Sequence, residues 1–148
     1  MKIFLSRYFN NIDKKGRVSV PASYRAILSD QDSGGVIVYP SIKNRCLEAC
    51  TAERLMQLCQ IIQSLDPYSE ERDAFEGIIL GGSVQLSFDS EGRVIIPKSL
   101  MEYGNLIDQV SFVGKGAVFE IWNPQDLDNH LAKSKLIAQN NRNLLKNI

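Results

Sequence analysis

The chain has one histidine, one tryptophan and three cysteines in 148 residues, and its charges cancel to zero. No apolar run approaches the ~20 residues that span a bilayer. These shortages exclude several function classes. His130 shares a helical face with Leu127 and Leu131, which suits a packed or interface residue rather than a general base. No Ser-His-Asp set can be assembled around it. Cys46, Cys50 and Cys59 lack the CxxC spacing of zinc sites, and an odd number cannot form a complete disulfide framework. Cys59 falls with Leu55, Leu58, Ile62 and Leu65 on one helical stripe, where a free thiol behaves as a small core hydrophobe. There is no phosphate-cradling glycine loop and no Asp-Thr/Ser-Gly. Neither an enzyme nor a metal or other cofactor is therefore expected. The start, Met1 to Arg7, acquires charge too quickly for a signal peptide, so a cytoplasmic location with no membrane partner is expected.

What the chain does have is one short motif written twice. Ile12-Asp13-Lys14-Lys15-Gly16-Arg17-Val18-Ser19-Val20-Pro21 recurs, 76 residues on, as Phe88-Asp89-Ser90-Glu91-Gly92-Arg93-Val94-Ile95-Ile96-Pro97. A second match follows at an offset of 72, where Leu47-Glu48-Ala49-Cys50-Thr51 parallels Phe119-Glu120-Ile121-Trp122-Asn123. Self-similarity at a fixed spacing implies internal duplication. Each copy is short, and two such units should share one core. Residues 1–80 are read as the first unit with an inter-repeat helix, and residues 81–148 as the second, together forming one intertwined domain.

Local chemistry then gives the elements. Asp13 and Asp89 can accept hydrogen bonds from backbone amides a few residues on, and Gly16 and Gly92 can take positive φ, which makes all four turn-formers. A β-branched strand leaves each turn and stops at Pro21 or Pro97, since proline cannot donate to a ladder. Short helices are expected over Ala22 to Leu28 and Lys98 to Tyr103. Strands are expected over Gly35 to Tyr39 and Val110 to Val113, with longer helices from Ala52 and Pro124 capped by Thr51 and Asn123. Ser69 to Glu76 should form an acidic helix with Phe75, Ile78 and Ile79 on one face, closed by Gly81-Gly82. Two sets of four strands predict an α+β fold closed into a small barrel that leaves no sheet edge.

Charge is unevenly placed. Residues 1–28 hold six basic side chains against Asp13, a local net of +5, whereas residues 66–91 hold seven acidic ones against Arg72, a local net of −6. The C-terminal stretch is basic again through Lys133, Lys135, Arg142 and Lys146. Such asymmetry suits a polyanion on one face or self-association between unlike faces.

Both Asp-x-x-Gly-Arg turns fit the DxxxR signature of the MraZ family, and the likeness extends through Tyr24-Arg25, Leu80-Gly81-Gly82 and Phe119-Glu120-Ile121-Trp122. The chain resembles that family of bacterial transcriptional regulators, of the AbrB-like swapped-hairpin superfamily, along nearly its whole length. The resemblance implies a pseudo-twofold swapped-hairpin barrel and a ring-shaped homo-oligomer. It also implies binding to repeated G-rich boxes in double-stranded promoter DNA ahead of the cell-division and cell-wall genes, in the nucleoid. The second turn departs from the first in carrying Ser90-Glu91 where the first has Lys14-Lys15, which makes it a poorer phosphate contact.

Candidate DNA contacts are Arg17, Lys15, Lys14, Arg25 and Arg93. Arginine at a hairpin tip can read guanine through O6 and N7 while lysines meet phosphate. The alternative for Arg17 and Arg93 is that they pair with Asp13 and Asp89 and only brace the turns. A protein-interaction or antitoxin-like module that does not bind DNA sequence-specifically is the competing function, and the acidic helix could equally serve subunit contacts.

Overall fold

The computed structural model describes residues 2–29 and 34–146. Strands β1 (Arg7–Asn11) and β2 (Arg17–Ser19) flank the first turn. They are followed by α1 (Ala22–Ser29), β3 (Gly35–Pro40), β4 (Leu47–Cys50) and α2 (Ala52–Gln63). After α3 (Glu70–Phe75) and a π-helical turn over Glu76–Leu80, the same order returns. It runs through β5 (Val84–Ser87), β6 (Arg93–Ile95), α4 (Lys98–Tyr103), β7 (Gln109–Gly114), β8 (Phe119–Trp122) and α5 (Pro124–Asn140), and a 3₁₀ turn closes it at Arg142–Leu144.

The expected caps Thr51 and Asn123 are present, and Ser69 caps the acidic helix in the same way. Thr51 Oγ1 accepts from the Arg54 amide at 3.1 Å, Ser69 Oγ from that of Arg72 at 3.2 Å, and Asn123 Oδ1 from that of Asp126 at 3.1 Å. Each satisfies an amide that the first helical turn leaves without a partner.

The expectation of a closed barrel is corrected. Six strands form an open antiparallel sheet in the order β1-β7-β8-β4-β3-β5, and β2 pairs only with β6 in a separate ribbon. Val20 and Ile96 lie beyond the ribbon's ends, next to Pro21 and Pro97, so each ribbon strand is three residues long. A single bridge, Ile12 to Val18, links ribbon and sheet among the described residues. Strands β1 and β5 therefore remain sheet edges.

Pairing crosses between the early and late parts of the chain. β1 pairs with β7 (Arg7 opposite Val113), β3 with β5 (Val36 opposite Leu86), β4 with β8 (Glu48 opposite Glu120) and β2 with β6 (Val18 opposite Val94). Alternate residues of the sheet point to opposite faces. One face carries Val36, Val38, Leu47, Ala49, Val110, Phe112, Phe119 and Ile121 into the main core, which Val18, Val94, Tyr24 and Leu28 complete. Phe4, Tyr24, Phe112 and Phe119 meet there edge-on or tilted, with ring centroids 4.7 to 6.3 Å apart.

The other face is covered by two helix groups. Ile37, Tyr39 and Cys50 pack under α2, α3 and the π turn, while Cys46, Val113 and Trp122 pack under α5. His130 stacks on Trp122 at 4.9 Å, as its helical face implied.

Two packing expectations need correction. Phe75 and Ile79 pack inward, but Ile78 is 52% exposed, because the i→i+5 winding at Glu76–Leu80 rotates the third residue off the inner face. On α2, Ile62 is buried and Leu55 and Leu58 half-buried, whereas Leu65 follows the helix end and is exposed.

Candidate functional site

The two Asp-x-x-Gly-Arg turns fold alike, to within a few tenths of an ångström. In the first, Asp13 Oδ1 accepts from the amides of Lys15 (2.9 Å) and Arg17 (3.0 Å), and Asp13 Oδ2 from Arg17 Nε (2.7 Å). In the second, Asp89 Oδ1 accepts from the amides of Glu91 (2.8 Å) and Arg93 (2.9 Å), and Asp89 Oδ2 from Arg93 Nε (2.8 Å). Gly16 (φ 84°) and Gly92 (φ 76°) supply the left-handed position that the turn needs.

These bonds favour ionised carboxylates. Asp13 is held below its ordinary value chiefly by the Arg17 amide, and Asp89 likewise by the Arg93 amide. The bond to Asp89 raises Arg93 above its usual value.

Each arginine is thus braced through Nε, which leaves its two terminal nitrogens to point elsewhere. Among the described residues nothing accepts from those of Arg17, while Arg93 Nη2 sits 3.2 Å from Glu91 Oε2. Bracing and outward presentation are therefore compatible in one side chain.

The ribbon register places both on one surface. Arg17 stands opposite Ile95 and Arg93 opposite Ser19, so the two arginines are diagonal neighbours, a separation of about 7–8 Å. Val18 and Val94 point into the core, and Ser19 and Ile95 face out with the arginines. Ser19 and Ile95 carry no chemical signal of their own in the sequence; strand alternation from Arg17 and Arg93 is what points to them.

Each turn rests on the far part of the chain. The Gly16 carbonyl accepts from Ile96 N at 2.9 Å and the Gly92 carbonyl from Val20 N at 3.2 Å. A Cβ on Gly16 would strike the Ile96 carbonyl, and one on Gly92 would lie 2.6 Å from Arg25 Nη1.

Arg25 itself donates from Nε to the Val20 carbonyl at 3.0 Å and lies half-buried, its guanidinium against Gly92 of the second turn. Lys14 and Lys15 are exposed, and they share a shallow cleft of about 460 Å³ with Lys98 at the start of α4. Lys98 carried no signal in the sequence, because it reaches the first turn only through the crossed packing. Near the ribbon, Lys14, Lys15, Lys98, Arg17 and Arg93 stand with Asp13, Asp89, Glu91 and Glu102, which also lines that cleft, a small positive excess.

No group of three or more His, Cys, Asp or Glu side chains among the described residues is placed to hold a metal ion. No helix among them is long and apolar enough to cross a membrane.

Fold and site together define an α+β protein that displays a pair of aspartate-braced arginines on a short two-stranded ribbon. A family model described as "MraZ protein, putative antitoxin-like" matches residues 79–147. The chain is 59% identical over 148 residues to the transcriptional regulator MraZ of Rickettsia bellii (strain OSU 85-389), covering 99% of both chains. It is 55% identical over 147 residues to that of Rickettsia canadensis (strain McKiel) and 54% identical over 147 residues to that of Rickettsia africae (strain ESF-5), each again covering 99% of both chains. The chain belongs to the MraZ family.

Proposed function

We propose that the chain is a transcriptional regulator whose β2–β6 ribbon enters the major groove of promoter DNA, acting as a repressor in the cytoplasm at the nucleoid. The observation that carries this reading is the pair of arginines on the outward face of the ribbon, each held by an aspartate through Nε, with the terminal nitrogens of Arg17 taken by no acceptor among the described residues. A major groove about 12 Å wide admits a two-stranded ribbon, and an arginine fork matches guanine O6 and N7. Arg17 is the principal base reader. Arg93 is secondary, because Glu91 engages its second nitrogen. Lys14, Lys15 and Lys98 contact phosphate, and Arg25, whose Nε is held by the Val20 carbonyl, supports the second turn and is a further phosphate contact.

The small positive excess on one ribbon makes a single copy a weak binder. Several copies in a ring-shaped homo-oligomer, engaging repeated G-rich boxes ahead of the cell-division and cell-wall genes, raise the effective concentration of each ribbon at its box. The duplicated units, 1–80 and 81–148, serve this arrangement by building one ribbon from both halves.

The test is a gel shift on the upstream DNA with scrambled boxes as control. Arg17→Ala is expected to lower box-specific affinity by about tenfold to a hundredfold, the worth of a bidentate guanine contact, while assembly is unchanged. Equal retention of native and scrambled boxes by the unaltered protein would favour the protein-interaction or antitoxin-like reading, which the nearby acidic side chains of the second turn also suit.

A further inference from the structure

One end of the molecule is left uncovered. After Ser134 every residue through Lys146 is exposed, so the last six residues of α5, about 9 Å of helix, lie uncovered. Leu136 and Ile137 are each 62% exposed, and Leu144 and Leu145 follow at 71% and 68%. Four large apolar side chains exposed within ten residues mark a candidate interaction site. The same stretch carries Lys133, Lys135, Arg142 and Lys146 and no acidic side chain, and none of the four enters an ion pair among the described residues.

A surface of opposite character lies on the α2–α3 hairpin. Ile61 (58%) is exposed on α2 and Tyr68 (95%) at the connection, and Ile78 (52%) is exposed on the π turn that follows α3. Around them stand Asp66, Glu70, Glu71 and Asp73, none in an ion pair among the described residues. Arg72, the one cation between Leu55 and Leu80, is already engaged. Its Nε lies 3.3 Å from Glu76 Oε2, and its Nη1 donates to the carbonyls of Gln63 and Leu65. The hairpin therefore presents unneutralised negative charge together with exposed apolar side chains.

We propose that the basic end of α5 docks on the acidic α2–α3 hairpin of a second copy of this chain, head to tail. The two surfaces match in charge and each has apolar residues to bury, so neither is complete within one copy. Contact between unlike faces repeats from copy to copy and closes into a ring when the rotation allows. The inference rests on the ring reading above and supplies its junction; the DNA ribbon is left free.

The test is sedimentation velocity of the full chain over a concentration series, at low and high salt. Lys133→Glu with Lys135→Glu, and separately Glu70→Lys with Asp73→Lys, are each expected to weaken assembly by about tenfold or more, as like charges meet across the junction. Combining all four substitutions should return assembly to within about threefold of the unaltered chain, since the charges are then exchanged. Circular dichroism reports that the exposed substitutions leave the fold intact. Assembly that persists in both single-side variants would overturn this junction while leaving the ring reading standing. A chain that is monomeric at every concentration would overturn both.

Discussion

At the residue scale, the two aspartates explain most of the local order. Asp13 and Asp89 each accept three hydrogen bonds within five residues, two from amides and one from the arginine side chain. Because these bonds need the ionised form, the bracing is fully present above the ordinary carboxylate value of 3.8 and fades as pH falls through the lower folded-state value. Carboxyl carbon shifts of Asp13 and Asp89 should therefore titrate below 3.8 in the folded protein. Arg17→Ala should move Asp13 only part of the way back, since the larger contribution comes from the backbone amide and survives the substitution. A midpoint at or above 3.8 would show that the turn is not braced in solution. On sequence grounds, bracing and presentation are rival roles for Arg17. They are not exclusive, because Nε and the terminal nitrogens of one guanidinium point in different directions.

At the element scale, the helices and strands were largely legible. Pro21 and Pro97, the caps Thr51, Ser69 and Asn123, and β-branched runs act through contacts a few residues away. The π turn was not legible, because nothing in Glu76–Leu80 forces i→i+5 bonding without the packing of Phe75 and Ile79 against the sheet. Burial of the cysteines follows from their elements. Cys46 and Cys50 flank and end β4 beneath the helices, and desolvation pushes both thiols up to about 12. Cys59, expected in the core from its stripe on α2, is only half-buried and falls outside the cluster that Leu55, Leu58 and Ile62 join. A maleimide reagent near neutral pH should label Cys59 first in the native protein and all three thiols after denaturation. Prompt native labelling of Cys46 or Cys50 would contradict this packing.

At the scale of the whole molecule, the two halves depend on each other for their hydrogen bonds. β5, β6, β7 and β8 take partners from β3, β2, β1 and β4. The two turns also exchange bonds with Val20 and Ile96. A fragment of residues 81–148 would expose the partner edges of all four strands and most of the Phe112–Phe119 core, at a length where a lone core is marginal. It should show no cooperative thermal transition by circular dichroism, whereas the full chain should melt in one step. A cooperative melt of the fragment would mean that the halves are separable domains.

The sequence by itself determined the turns, the order of elements and the identity of the braced arginines, because each depends on bonds and steric limits within about five residues. Only the tertiary structure decided which strands meet, that the sheet stays open and that Lys98 joins the lysines of the first turn. Those outcomes rest on backbone hydrogen bonds and side-chain packing between residues as far apart as Arg7 and Val113, where local preference is silent and the burial of a shared core chooses the partners.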